Sequence, residues 1–98
     1  MTTYLKPIYD NRQSFYNKAV VTTDTVLWGN STELKAPGEK HLYSYNTEVC
    51  YIDNAGKVHL LPLWNYSATT LRHIKEFLRQ NGYKAESKNQ IQKDYFNI

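Results

Sequence analysis

Residues 64–82 read WNYSATTLRHIKEFLRQNG, and in this stretch a start signal, an apolar period and a stop signal agree. Ser67 occupies an N-cap position, where its hydroxyl accepts from the free N–H groups of a first helical turn. Tyr66 and Leu71 have the spacing of a hydrophobic staple, while Thr70 in place of Glu or Gln leaves the capping box incomplete. Gly82 supplies a left-handed residue at the far end. Tyr83 then falls where a Schellman ending folds back on Leu78. Together these predict one helix over 68–81, about 21 Å long.

Successive helical residues stand about 100° apart, which gathers Leu71, Ile74, Phe77 and Leu78 into one apolar stripe. That stripe is read as core. Arg72, Lys75 and Arg79 cluster on one flank, and Thr69, His73, Glu76 and Gln80 form a separate polar line. The plain reading of both is a solvated face. The sharper one is a contact surface, because Arg and His on a fixed helix suit phosphate or carboxylate partners.

Upstream of the helix the periodicity changes. FYNKAVVTTDTVLW (15–28) is rich in β-branched and aromatic residues and reads as a strand, with a bulge or turn near Thr22–Asp24. GNSTELKAPGEK (29–40) reads as a long loop. HLYSYNTEVCYID (41–53) reads as a second strand, Asn54–Gly56 as a hairpin loop, and KVHLLPLW (57–64) as the return. Pro62 removes a ladder donor, which places that end at an edge or a bulge. Residues 1–14 read as an irregular lead. In the tail, Ser87 with Gln90 and Ile91 with Tyr95 predict a short helix over 88–96. The expected fold is α+β and a single domain over 1–98: a three-stranded antiparallel sheet packed by one main helix (β-β-β-α), plus a short C-terminal helix.

At 98 residues the chain makes one domain with a modest core, too small for a deep catalytic cleft. No apolar run has membrane-spanning length, and the polar start MTTYLKPIYDNRQ does not read as a signal peptide. Cys50 is the sole cysteine, so no internal disulfide forms and a reducing cytoplasm is expected. The net charge is +3. Residues 1–71 hold six Lys/Arg against six Asp/Glu, whereas residues 72–98 hold six against three. The whole excess therefore lies in the helix and tail, which favours an anionic partner over an acidic, nucleic-acid-mimicking design.

No catalytic or metal constellation is legible. His41, His59, His73 and Cys50 lack paired ligand spacing, so neither metal nor cofactor is expected. Cys50 and His59 fall near one another across the predicted hairpin, the only thiol–imidazole pair this fold builds. A strand Cys between Val49 and Tyr51 is nevertheless more often a small buried hydrophobe. The chain is thus expected to be a non-catalytic binding protein, without a small-molecule substrate and without a membrane. Nucleic acid fits a sheet backed by one helix, with Tyr rings to stack on bases and Arg72, Lys75, Arg79, Lys84 and Lys88 to meet phosphates.

Three segments, SFYNKA (14–19), LYSYNTEVCYI (42–52) and WNYSATTLRHIKEFLRQNGYKAESKNQIQKDY (64–95), resemble a family of small uncharacterised proteins of bacteriophages, plasmids and mobile elements of Gram-positive bacteria. The most distinctive string is YSxTTxRH, matched by Tyr66, Ser67, Thr69, Thr70, Arg72 and His73. The first dozen residues and the 29–40 loop fall outside the likeness. The resemblance implies a small protein made in the cytoplasm of an infected or plasmid-bearing host cell. Proteins of that kind bind nucleic acid or, as the alternative, inhibit a host defence enzyme by protein–protein contact, as anti-CRISPR proteins do. The partner is expected on the exposed side of the helix, at Thr69, Arg72, His73, Lys75 and Arg79. Against this stands a structural reading in which Thr69 and His73 tie the helix start to a neighbouring strand or to the 29–40 loop.

Overall fold

The computed structural model describes residues 2–9, 16, 18–23, 26–27, 34–36 and 39–96. Seven strands and two helices follow in chain order: β1 (Thr2–Tyr4), β2 (Ala19–Thr23), β3 (Val26–Leu27), β4 (Leu34–Ala36), β5 (Lys40–Ser44), β6 (Thr47–Ile52), β7 (Val58–Leu60), α1 (Ala68–Gln80) and α2 (Lys88–Tyr95). The class is α+β, with an antiparallel sheet and two helices.

The sheet has five strands in the order β1-β2-β5-β6-β7, not the three expected, and β3 pairs separately with β4. Two local features account for the difference. First, the stretch read as one strand over 41–53 is a hairpin. Tyr45 and Asn46 both adopt positive φ, 53° and 69°, between the paired Ser44 and Thr47. A two-residue hairpin loop demands that conformation at both centres, and Asn tolerates it far better than Tyr does. Second, part of the lead is ordered by pairing: Thr3 lies opposite Val21, and Leu5 N–H donates to Ala19 C=O at 2.9 Å. The lead is therefore not irregular throughout, and residues 34–36 of the expected loop are strand. Residues 1, 10–15, 17, 24–25, 28–33 and 37–38 of the lead, the first strand and the loop lie outside the described residues.

Alternation then sorts the side chains. Ala19, Ser44, Leu42, Cys50 and Leu60 occupy facing positions on one side and are buried. Val49 joins them because the register shifts between Leu42 and Tyr43, setting an extra residue into β6. On the other side Thr22, His41, Tyr51 and His59 form a row across four strands. There the Tyr51 ring stacks between the two imidazoles, at centroid distances of 5.2 Å to His41 and 4.5 Å to His59.

α1 covers the buried side. Ser67 Oγ accepts from Thr70 N–H at 3.1 Å, as its N-cap position predicts. At the other end Tyr83 N–H reaches Leu78 C=O at 2.9 Å and Gly82 N–H reaches Arg79 C=O at 3.1 Å. With Gly82 at φ 85°, this is the predicted Schellman ending. Ile74, Phe77 and Leu78 are fully buried, each contributing about 1.5–3 kcal/mol through the apolar surface withdrawn from water. Leu71 is only partly buried against the core, and Tyr66 is exposed rather than stapled down. Ser87 caps α2 by accepting from Gln90 N–H, and Ile91 seats that helix in the core. No described helix is long and apolar enough to cross a membrane.

Candidate functional site

The buried arc of α1 is wider than its apolar stripe. Thr70, His73 and Glu76 are buried beside Ile74, Phe77 and Leu78. The cause is the lead, which returns over the helix flank. Ile8 N–H and Tyr9 N–H both donate to Glu76 Oε1, at 2.9 Å for Tyr9, and Gln80 Nε2 donates to the Lys6 carbonyl. A carboxylate holding two backbone donors is a charge-assisted clamp.

Another edge of α1 carries Arg72, Lys75 and Arg79, all half-buried. These three, with Tyr16, Ala68, Leu71 and Glu76, line a cleft of about 300 Å³. Arg79 Nε donates to the Ala85 carbonyl at 2.8 Å, which orients its guanidinium. Glu76, the sole acid among the described residues of the wall, turns one oxygen to the lead and to Gln80 Nε2 at 3.1 Å. Cations in one row on a capped helix form a fixed receptor for phosphate or carboxylate oxygens. The structure thus brings together Arg72, Lys75 and Arg79 of the expected site. Thr69 lies half-buried in the first turn and outside the cleft lining.

His73 is a correction. It was expected on the exposed side and is fully buried, 0% exposed. Its Nδ1 is 2.8 Å from Ser44 Oγ, and its ring lies 5.5 Å from Tyr16 and 5.9 Å from Tyr45. The structural reading holds for this residue: it ties α1 to β5. The physical reason is that strand β5 and Tyr16 cover a flank that the apolar pattern alone marks as solvent-facing.

The sequence reading missed the hollow beside this histidine. Ser67, Thr70, Ser44 and His73 form one hydrogen-bonded chain, with Ser67 Oγ to Thr70 Oγ1 at 3.2 Å and Ser44 Oγ to Thr70 Oγ1 at 3.1 Å. Above it opens a hollow of about 240 Å³ lined by Ser44, Tyr45, Thr47, Val49, Leu63, Tyr66 and Thr70. Tyr66 is 73% exposed, Tyr45 50% and Leu63 49%. The usable signal was Asn46, a turn former inside what reads as a strand. The Ser44 hydroxyl and His73 imidazole sit at the distance of a nucleophile and its base. Ser44 is buried and already bonded to Thr70, so the pair acts as a brace.

The other reactive groups are also engaged. Burial, with Glu48 adding to it, pushes the Cys50 thiol well above its ordinary range, which disfavours the nucleophilic thiolate. Cys50 lies opposite Leu60 in the core, and His59 lies opposite Tyr51 on the other face, so the expected thiol–imidazole pair is not formed. His59 Nε2 instead meets Asp53 Oδ2 at 2.8 Å, and His41 meets Glu48 and Glu39. Among the described residues no three His, Cys, Asp or Glu side chains could hold a metal ion.

Residues 3–93 match the model of a family described as a family of unknown function, DUF8033. The chain belongs to that family. Membership in DUF8033 spans both helices except the last two residues of α2, and nearly the whole sheet, so hollow and basic cleft alike lie within it. No curated protein and no solved structure matches the chain.

Proposed function

We propose that this DUF8033 chain is a non-catalytic binding protein that takes a nucleic acid, with phosphates along the Arg72–Lys75–Arg79 edge of α1. The observation that carries the reading is that three cations from one capped helix line one cleft, in which Glu76 is engaged by the lead. The pre-set backbone lowers the ordering cost of each contact. The basic bias of residues 72–98 extends the same field through the tail. The setting implied by the resemblance above, a phage or mobile-element protein in the host cytoplasm, accords with such a role.

Titration of labelled oligonucleotides at several salt concentrations tests this. Affinity falls steeply with salt, through counterion release, and Arg72→Ala with Lys75→Ala lowers it about tenfold or more while flattening the log–log salt slope by about 2. Unchanged affinity in a double variant that keeps the wild-type melting temperature removes the basic edge from the site.

A second reading rests on the exposed Tyr45, Leu63 and Tyr66. Grouped exposed apolar side chains also mark protein interfaces. On that reading the chain inhibits a host defence enzyme in the anti-CRISPR manner, through a discrete protein complex that tolerates moderate salt.

A further inference from the structure

We infer that the hollow between the Tyr45–Asn46 turn and the Leu63–Tyr66 segment receives one unstacked base of a single-stranded nucleic acid, an inference that rests on the nucleic-acid reading above. Four observations converge there. Tyr45 and Tyr66 both line the hollow and both leave half or more of their surface to solvent, 50% and 73%. A tyrosine ring offers a π-face on which any base stacks. The wall beneath them includes three hydroxyl-bearing residues, Ser44, Thr47 and Thr70. Each hydroxyl oxygen has two acceptor lone pairs and one donor, so Ser44 and Thr70 keep capacity beyond the bonds they make to each other, to Ser67 and to His73. A base presents donors and acceptors on its edges only when it is unpaired, which is why single strands rather than duplexes are read this way.

The third observation is continuity. The buried His73 ring touches Tyr45, which lines the hollow, and also Tyr16, which lines the basic cleft. Hollow and cleft thus lie on either side of one imidazole, with aromatic and polar contacts at one end and three cations at the other. A strand lying along α1 meets both. Positive charge in the cleft that the imidazole joins to the hollow favours a polyanion over an apolar protein segment as the occupant. The fourth observation is the backbone of Tyr45. The two-residue β5–β6 turn holds this bulky residue at φ 53°, a conformation that Gly or Asn adopts far more readily. Here the outlier turns a ring to the mouth of the hollow.

The Tyr45 conformation supplies the test. Tyr45→Gly removes the ring and relieves the backbone, so the protein keeps or gains stability. Tyr66→Ala removes an exposed ring from the opposite rim. Fluorescence anisotropy measures each variant, together with Tyr45→Phe, against a mixed-sequence single strand and its duplex. The expected result is a single strand bound at least tenfold more tightly than duplex. Tyr45→Gly and Tyr66→Ala each weaken single-strand binding about tenfold, with the salt slope unchanged because no phosphate contact is lost, and Tyr45→Phe retains it. Equal binding of single strand and duplex, or unchanged affinity in both ring-deleted variants, overturns the inference while leaving the basic edge intact, provided Arg72→Ala with Lys75→Ala still weakens binding. No binding of either nucleic acid by the wild type overturns both readings. A salt-tolerant complex with a purified protein that Tyr66→Ala abolishes, without single-strand binding, assigns the hollow to a protein partner instead.

Discussion

Asp53 shows how much a single side chain arranges. One of its oxygens accepts from Ala55 N–H and Lys57 N–H, both at 2.9 Å, closing the β6–β7 turn, and the other meets His59 Nε2. The His59 hydrogen bond first, then the backbone donors, hold its carboxyl below its ordinary value of 3.8. A folded-state value below the unfolded one means a contribution that is present above 3.8 and lost as pH falls through the folded value. Denaturant midpoints should therefore drop more steeply below pH 4 for wild type than for Asp53→Asn, and the gap between the two should narrow there. Parallel curves from pH 6 to 3 would show that the carboxylate contributes nothing beyond its turn geometry.

At the scale of the element, α1 draws its stability from what it covers. Phe77 stands at the middle of the buried arc, 1% exposed. Phe77→Ala leaves a cavity in the only described layer between sheet and helix and should cost about 3–5 kcal/mol in urea melts. A loss below about 1 kcal/mol would place the ring at the surface. The cap is a smaller matter. A Cβ added at Gly82 meets nothing within 4 Å, so Gly82→Ala tests backbone conformation alone. Its expected cost is about 1–2 kcal/mol, from forcing an L-residue into φ 85°.

Across the whole molecule, Glu76 joins segments almost seventy positions apart, since it holds the amides of Ile8 and Tyr9 from within α1. This clamp keeps the lead on the helix flank, and β1 then closes the sheet on β2. Glu76→Ala orphans two backbone donors and should cost about 2–3 kcal/mol, with faster amide exchange at Ile8 and Tyr9 than elsewhere. Glu76→Gln keeps an acceptor and should cost less. Exchange rates at Ile8 and Tyr9 that stay at wild-type values in Glu76→Ala would show that the lead is held by other contacts. Glu76 also lines the basic cleft, so the same variant reports on binding: loss of affinity without loss of fold would tie the lead to the cleft.

The parts of this protein that rest on short-range bonds are legible in adjacent residues. Ser67, Gly82 and Ser87 set both helices because a cap acts within three or four residues of itself. Asn54–Gly56 set the β6–β7 turn for the same reason, and the grouping of Arg72, Lys75 and Arg79 follows from helical period alone. Which helix faces meet water depends on long-range packing. His73 and Glu76 read as solvent-facing until β5, Tyr16 and the lead close over them, and those partners are 29 to 68 positions distant. The same holds for Tyr45, which lies in a turn, against the local preference of its side chain, because antiparallel pairing of β5 with β6 imposes left-handed backbone on the two residues between them. Local hydrogen bonds are written in adjacent residues, whereas burial depends on which distant segment comes to lie on top.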